Sequence, residues 1–236
     1  MRERAIGKRE EIAVVSFDLD DTFWDCKPAL LMAEEHLYGW LEKNTPRVTT
    51  ALDREALLSF RTEFREAHPE LTGCVTAMRL QGLRELMRTY RYSESLADEA
   101  FKMFHLARNQ VTVYQGVEAM LKAVSNRYRV AAITNGNADL NLIGLDQYFN
   151  RIYTADLTLK AKPAPDMFDQ CCAHFDVDPS QMLHVGDSPA ADVKGALEAG
   201  AQSLWFNQFG QSWPHPMDPP HYEARSIQEI KSFLTD

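Results

Sequence analysis

The sequence predicts an α/β fold in which a helical-bundle cap domain is inserted into a Rossmann-like parallel-sheet core domain. Two patterns lead to this prediction. Short apolar runs rich in β-branched residues recur along the chain, as is typical of strands buried on both faces of a parallel sheet. All but the first of these runs follow a long block with only helical periodicity. Because strands that alternate with helices form βαβ units, the helical block interrupts one such domain soon after its first strand.

The predicted boundaries lie where the pattern changes. Residues 1–25 and 113–236 form the α/β catalytic core, and residues 26–112 form the cap. The core strands are expected at residues 12–19, 129–134, 151–155, 182–186 and 201–206. The other core elements are expected to be helices near 118–125, 165–175 and 190–199, a proline-rich loop over 207–222 and a last helix from Ser226.

The cap is predicted to be a four-helix unit. Pro28 is suited to be the first residue of its first helix, whose apolar positions recur with helical period as far as Leu41. The other three helices are expected over 53–67, 75–90 and 93–108. We expect their apolar stripes to form the core of the bundle and not a cofactor site.

Composition excludes several classes of function. The formal net charge of -9 over 236 residues argues against non-specific binding to nucleic acid or to an anionic membrane surface. A small phosphorylated metabolite remains a suitable partner, because a metal ion can invert the local field of a site. The four cysteines lack metal-ligand spacing, and we find neither a signal-peptide run nor an apolar stretch long enough to span a membrane. We therefore expect a cytoplasmic monomer or small homo-oligomer.

The first strand runs into the carboxylate cluster FDLDDT. Residues two apart on an extended chain point the same way, so Asp18 and Asp20 can face one site. In the chemistry this suggests, Asp18 attacks phosphorus and forms an aspartyl-phosphate. Asp20 protonates the leaving oxygen and then activates the water that hydrolyses the intermediate.

Two further signals follow later strands. Thr134 in ITNGN supplies a hydroxyl, and the backbone amides of Asn135 and Gly136 can approach a phosphate closely. In LKAKPAP, Lys162 can neutralise both the nucleophile and the phosphoryl oxygens. Lys160 competes for that role.

The fourth signal is HVGDSPAAD. Asp187 directly follows a predicted strand and is a suitable oxygen ligand for Mg²⁺. Asp192 falls on the first turns of the next helix. Histidines 68, 184, 215 and 221 show no ligand spacing, and we interpret them as structural or surface residues.

The segments DLDDT, ITNG, Lys162–Pro163 and GDSPAAD resemble, in order, the four motifs of the haloacid dehalogenase superfamily, and the helical block resembles its cap. Ala161 stands where that superfamily usually has glycine. The resemblance implies Asp18 as nucleophile, Asp20 as acid and base, Thr134 as phosphate hydrogen-bonder and Lys162 as charge neutraliser. It also implies Mg²⁺ held by Asp18, the Asp20 backbone carbonyl and Asp187, with Asp192 orienting Lys162 or a metal-bound water.

The same resemblance indicates a phosphatase, because the dehalogenase branch lacks a carboxylate at the position of Asp20. The segments AHPELTGCVTAMRL and AITNGNADLNLIGLDQYF are similar to bacterial phosphatases of flavin mononucleotide and 5-amino-6-(5-phosphoribitylamino)uracil. For specificity, Trp24 is predicted either to stack on a planar ring or to pack in the core. Arg79 is predicted either to reach a ribityl or phosphate oxygen or to be solvated.

Two other functions stay open on the sequence. A phospho-acceptor sensor would also use an aspartate and Mg²⁺ on a parallel sheet, but it has no need of Asp20 or a large lid. A sugar phosphomutase would use the cap to hold its substrate. Cap closure is expected to hinge near residues 25–28 and 110–115.

Overall fold

A computed structural model of the chain describes residues 12–236. Residues 1–11, part of the predicted first core segment, lie outside the described residues. Within residues 12–236, six strands form a single sheet whose neighbouring strands are all parallel. They are β1 (Val14–Phe17), β2 (Arg129–Thr134), β3 (Arg151–Thr154), β4 (Met182–Gly186), β5 (Gln202–Phe206) and β6 (Tyr222–Ala224). Their order across the sheet is β3-β2-β1-β4-β5-β6.

The five predicted strands are all present, with ends that differ by at most two residues. The sixth strand was not predicted. β6 begins at Tyr222, the last residue of the predicted proline-rich loop. It is only three residues long, reads YEA, and pairs with β5 at the edge of the sheet. A segment this short, with a glutamate at its centre, has no apolar run that a sequence pattern can register.

Both faces of the sheet are covered, as the apolar strands predict. Val15 and Phe17 pack in one hydrophobic cluster, whereas Val14 packs in another on the opposite face. The same alternation runs through β2 and β4, because successive side chains on a strand point to opposite faces. The first face packs against the helices after Gly116 and at the C-terminus, and the second packs against the helix after Pro165.

The helical segments fall into two groups along the described chain. Between β1 and β2 lie α1 (Cys26–Asn44), α2 (Pro46–Ala51), α3 (Arg54–Ala67), α4 (Val75–Thr89), α5 (Leu96–Arg108) and α6 (Val117–Ser125). After β2 come α7 (Leu140–Ile143), α8 (Asp166–Phe175), α9 (Lys194–Glu198) and α10 (Ile227–Thr235). A turn of π-helix over Pro189–Val193 leads into α9.

The inserted cap consists of α1 to α5, which share a hydrophobic cluster of their own. Two details of the cap prediction were wrong. Pro28 is not the first helical residue: α1 begins at Cys26, because the Asp25 carboxylate accepts the Lys27 backbone N–H at 3.0 Å and so caps the helix there. The cap also has a fifth helix, the short α2, which Pro46 starts. The boundaries at residues 25–26 and 112–113 remain a prediction.

Within residues 12–236, no helix combines the length and the apolar character that crossing a membrane requires.

Candidate active site

The site lies where the carboxyl ends of three adjacent strands meet. β1 pairs with β2 on one side and with β4 on the other. Asp18 directly follows β1, Thr134 ends β2 and Asp187 directly follows β4. Because all three strands are parallel, the fold brings these side chains to one edge of the sheet, where ligands bind in open α/β sheets.

Lys162 occupies the centre of this edge. Its Nζ donates to Asp18 Oδ1 at 2.7 Å and to Asp192 Oδ1 at 2.6 Å, and it also donates to the Ile133 backbone carbonyl. Lys160 is exposed, so of the two candidate lysines it is Lys162 that contacts Asp18. Asn135 fixes the backbone at Lys162 through two hydrogen bonds. Its Oδ1 accepts the Lys162 backbone N–H at 2.7 Å, and its Nδ2 donates to the Lys162 backbone carbonyl at 2.9 Å.

A buried hydrogen-bonded chain continues from Lys162 through Asp192 into the sheet. Asp192 Oδ1 lies 3.2 Å from His184 Nε2, and His184 Nδ1 lies 2.9 Å from Ser16 Oγ, its register partner on β1. Burial, and next the charge of Lys162, lower the pKa of His184 to about 4, so the ring is neutral at pH 7. Although burial opposes ionisation, Lys162 and His184 hold the pKa of Asp192 below its usual range. The predicted orienting role of Asp192 fits this geometry.

Three carboxylates converge beside Lys162. Ligand atoms of Asp18, Asp187 and Asp192 lie within 4.8 Å of one another. Burial raises the pKa of Asp18 to about 8 although Lys162 opposes the shift, and burial together with the charge of Asp192 raises the pKa of Asp187 to about 7. Asp18 and Asp187 thus lack sufficient compensating charge. A hard divalent cation such as Mg²⁺ fits this donor set, with Asp192 already engaged by Lys162.

Asp20 lies in a slot beside the turn that follows β2. Its Oδ1 accepts the Trp24 indole N–H at 2.8 Å, and its Oδ2 accepts Arg108 Nη2 at 2.7 Å. A Cβ on Gly136 would lie 2.3 Å from Asp20 Oδ2 and 3.3 Å from Thr134 Oγ1. The absence of that Cβ lets the Asp20 carboxylate approach the turn closely. The sequence predicted a close approach of a phosphate to this turn and not of Asp20. Thr134 Oγ1 accepts the Gly136 N–H at 3.0 Å.

Comparison with known proteins gives the same answer as the motifs. Residues 12–200 match the family of haloacid dehalogenase-like hydrolases. The chain is 30% identical to the 5-amino-6-(5-phospho-D-ribitylamino)uracil phosphatase YigB of Escherichia coli, over 98% of each chain. It is 28% identical to the N-acylneuraminate-9-phosphatase of Rattus norvegicus, over 94% of each chain. A crystal structure described as a 2-haloacid dehalogenase, from Pseudomonas syringae, shares 32% identity and a TM-score of 0.88, covering 94% of this chain and 98% of that one.

The chain belongs to the haloacid dehalogenase-like hydrolase family. The resemblance drawn from the four motifs is thereby confirmed, and so is the α/β core with an inserted helical cap. The match spans the whole cap and the core as far as residue 200. A magnesium-bound hydrolase of Bacillus subtilis, YfnB, has the same fold, with a TM-score of 0.67 at 20% identity.

In this member of the family, a cavity of about 680 Å³ extends from Asp20 into the cap. Its cap wall includes Arg79, which donates to Glu34 Oε1 at 3.0 Å and lies 3.5 Å over the ring of Phe104. Burial lowers the pKa of Arg79 to about 10, so the side chain stays charged at pH 7. Arg79 is therefore a cavity residue and not a solvated one.

Trp24 requires a correction. It is fully buried and does not line the cavity, so its ring is not free to stack on a substrate. The indole packs edge-on to Phe23, with ring centroids 6.3 Å apart, and its N–H is used by Asp20. Of the two roles predicted for Trp24, the structure therefore favours packing, with the added function of holding Asp20.

Sequence reasoning missed two residues of this site. Thr22 Oγ1 lies 3.3 Å from Asp187 Oδ1 and 3.5 Å from Asp18 Oδ2, and its place inside DLDDT was a signal that could have found it. Arg108 contacts Asp20 from 88 residues away. It is the last residue of an ordinary amphipathic helix, so no local pattern marks it.

Proposed function

We propose that the protein is a Mg²⁺-dependent phosphomonoester hydrolase that works through an aspartyl-phosphate on Asp18. The observation that carries this proposal is the second carboxylate, Asp20, held beside the Thr134–Gly136 turn. An acid at that place serves a reaction whose leaving group needs a proton. Relatives named as phosphatases, which match nearly the whole chain, support the same reaction class.

The chemistry follows from the positions of the side chains. Asp18 attacks phosphorus, while Lys162, which already contacts Asp18 Oδ1, offsets negative charge on the phosphoryl oxygens. Thr134 and the backbone amides of Asn135 and Gly136 provide hydrogen bonds on the other side of the phosphoryl group. Asp20 gives a proton to the leaving oxygen, and its carboxylate then takes a proton from the water that attacks the aspartyl-phosphate.

Asp18, Asp187 and the backbone carbonyl of Asp20 are the groups that would hold Mg²⁺. The bound ion would supply positive charge that keeps Asp18 ionised and compensates the phosphate. The raised pKa values of Asp18 and Asp187 without an ion support this need. Thr22, within 3.5 Å of both carboxylates, would orient the pair.

The substrate we propose is a small phosphorylated metabolite, with flavin mononucleotide or 5-amino-6-(5-phosphoribitylamino)uracil as the first candidates. The cavity beyond Asp20 has room for such a group, and it combines apolar side chains with the charged pair Arg79 and Glu34. The similarity to YigB over 98% of both chains supports this choice. Arg79 is the proposed contact for a ribityl or phosphate oxygen.

The experiment is phosphate release from a panel of esters, measured with Mg²⁺ and again with excess chelator. The panel contains flavin mononucleotide, ribityl, sugar and nucleoside phosphates, and p-nitrophenyl phosphate. We expect chelator-sensitive hydrolysis that is lost in Asp18→Asn. Hydrolysis led by flavin mononucleotide or the ribityl phosphate would support the substrate as well as the class.

Three other outcomes separate the alternatives. Release of halide from a 2-haloacid, with no release of phosphate, would replace the proposal by the activity in the name of the Pseudomonas relative. Interconversion of hexose phosphates without net hydrolysis would indicate a mutase. A stable phosphorylated Asp18 that does not turn over would indicate a phospho-acceptor sensor.

A further inference from the structure

Arg108 is a buried arginine with an unusual set of partners. It ends α5 of the cap, and its side chain is only 3% exposed. Its Nη2 donates to Asp20 Oδ2 at 2.7 Å, whereas Nε and Nη1 are buried and find no hydrogen-bond partner among the described residues. Burying a guanidinium is costly unless its donors are satisfied. An arginine kept only for the stability of the cap would be expected to use more of its donors.

Within residues 12–236, the single hydrogen-bond partner of the Arg108 side chain is Asp20, the predicted acid of the reaction. Asp20 has a donor on each oxygen: the indole of Trp24 on Oδ1 and Arg108 on Oδ2. On its remaining side it faces the turn at Gly136, where an added Cβ would lie only 2.3 Å from Oδ2. These three neighbours fix the carboxylate in one orientation. Trp24 and Gly136 belong to the core side of the site, but Arg108 comes from the cap.

The last turn of α5 is attached to the core at two further points. His105 Nε2 lies 3.1 Å from the Asn137 carbonyl oxygen, and Asn109 Oδ1 accepts the Asp139 N–H at 2.8 Å. Asn137 also reaches back to the cap, since its Nδ2 donates to Thr76 Oγ1 at 3.2 Å. Arg108 therefore contacts Asp20 in the arrangement in which this end of α5 is hydrogen-bonded to the core. A movement of α5 relative to the core would change the distance between Arg108 and Asp20.

We propose that Arg108 is a positioning residue that sets the orientation of Asp20. Proton transfer by Asp20 then depends on a seated cap, by which we mean a cap whose α5 is in contact with the core. This inference rests on the proposed phosphatase function. In the first step, the ester P–O bond breaks as the Asp18–phosphorus bond forms, and the proton of Asp20 moves to the leaving oxygen. In the second step, water oxygen bonds to phosphorus, its proton moves to Asp20 and the Asp18–phosphorus bond breaks. The carboxylate between the two steps is the form that Arg108 binds.

The test uses two esters that differ in their need for an acid. p-Nitrophenolate is a stable leaving group, whereas an alkoxide must be protonated as it leaves. We expect Arg108→Ala to lower kcat/KM, which reports the transfer of the phosphoryl group to Asp18, by about 100-fold for an alkyl phosphate such as glycerol phosphate, within the range of a general acid's contribution. The loss of kcat/KM for p-nitrophenyl phosphate should stay below about 10-fold. A loss of kcat that is equal for the two esters is also expected when hydrolysis of the aspartyl-phosphate limits the rate, because Asp20 acts as the base in that step for both.

A double-mutant cycle distinguishes positioning from a structural role. If Arg108 acts through Asp20, then adding Arg108→Ala to Asp20→Asn should change the residual rate by less than about 3-fold. Arg108→Lys keeps the charge but not the reach of the guanidinium. We expect it to show a smaller loss with the same preference for p-nitrophenyl phosphate, and it replaces Arg108→Ala if that variant melts early. Arg88→Ala is the control, because Arg88 is exposed and pairs within the cap with Glu85 and Glu94.

The outcomes are separable. Equal losses of kcat/KM on both esters, or a full additional loss in the Asp20→Asn background, would overturn the positioning role while the phosphatase function stands. Wild-type activity of Arg108→Ala on glycerol phosphate would do the same. If the wild-type protein releases phosphate from no ester of the panel, the proposed function fails and this inference fails with it.

Discussion

At the scale of single residues, the balance of charge around Asp18 controls how the protein responds to pH and metal. One ammonium group, on Lys162, faces Asp18 and Asp192, while Asp187 lies close by. Burial and mutual repulsion raise the pKa of Asp18 to about 8 and that of Asp187 to about 7. In the unfolded chain both carboxyl groups ionise near pH 4. The folded, metal-free protein therefore holds protons that the unfolded chain has lost.

A prediction about stability follows from these pKa values. When the folded state binds more protons than the unfolded state, stability falls as pH rises. Between pH 6.5 and 8.5 the folded protein loses protons from Asp18 and Asp187, so the free energy of unfolding should fall by about 2 kcal/mol in chelator. The titration of His184 changes stability in the opposite direction, because its pKa in the folded protein is lowered to about 4. This contribution falls below pH 6.5, outside the range considered. Thermal melting in chelator should show a drop in Tm of about 5 °C over this range.

Magnesium supplies the matching test. Because the ion favours ionised carboxylates, it should raise Tm more at pH 8.5 than at pH 6.5. Asp18→Asn removes one of the two titrating groups, so it should flatten the dependence on pH in chelator. A Tm in chelator that rises from pH 6.5 to 8.5, or a response to Mg²⁺ that is equal at both values, would contradict this account.

The sequence predicts those residues of the site whose positions are set by a strand end. Asp18, Thr134 and Asp187 each end or follow a strand, so the order of apolar runs is enough to bring them together. His184 and Arg108 could not be assigned in this way. His184 contacts Ser16, 168 positions away, and this contact depends on the register of β1 with β4. Arg108 contacts Asp20, 88 positions away, and this contact depends on how the cap packs on the core.

At the scale of elements, the turn after β2 contains a glycine, Gly136, where a neighbouring side chain packs closely against the backbone. Gly136 is partly exposed and has an ordinary φ, so its backbone does not require glycine. What requires glycine is the neighbouring carboxylate, because Asp20 Oδ2 would lie 2.3 Å from an added Cβ. The end of an aspartate side chain can move aside. A methyl group here should therefore displace the acid without disturbing the fold.

We predict that Gly136→Ala lowers kcat for alkyl phosphates by about 10-fold or more, because the acid no longer points at the leaving oxygen. Tm should stay within about 3 °C of wild type, since the displaced group is a partly exposed side chain. Steady-state kinetics and thermal melting measure the two effects. Gly39→Ala is the matched control: an added Cβ at Gly39, in α1, meets nothing within 4 Å. Unchanged kcat in Gly136→Ala would show that Asp20 tolerates the displacement.

The elements that the sequence failed to predict are short ones. α2 has six residues, α7 has four and β6 has three, and none is long enough to repeat an apolar pattern. Each is stabilised by contacts from elsewhere: Val48 of α2 packs into the cap cluster, Leu140 of α7 packs into a core cluster, and β6 pairs with β5 along the edge of the sheet. Long elements can be predicted from the period of their apolar residues. Elements of only a few residues depend on tertiary contacts, which no local sequence pattern shows.

At the scale of the whole molecule, cap and core meet through few polar contacts. Among the described residues, Arg108 contacts Asp20, His105 contacts the Asn137 carbonyl, Thr76 contacts the Asn137 amide, and Asn109 contacts the Asp139 N–H. The cavity lies between the two and is lined by both. A substrate that fills this space would have to enter past these contacts, so we expect the cap to move on its two connections to the core, near residues 25–28 and 110–115.

Hydrogen exchange can test this motion directly. A vanadate or fluoride analogue of the phosphoryl group, bound with Mg²⁺, should slow amide exchange in both connecting segments, because a seated cap restricts their backbone. The α8 amides serve as the internal control, since the buried residues of that helix pack in a core cluster that shares no residue with the cap cluster. Arg108→Ala should reduce the protection in the connecting segments if its contact with Asp20 helps to seat the cap. Equal exchange with and without the analogue in both segments would mean that the cap is fixed and that the substrate enters by another movement.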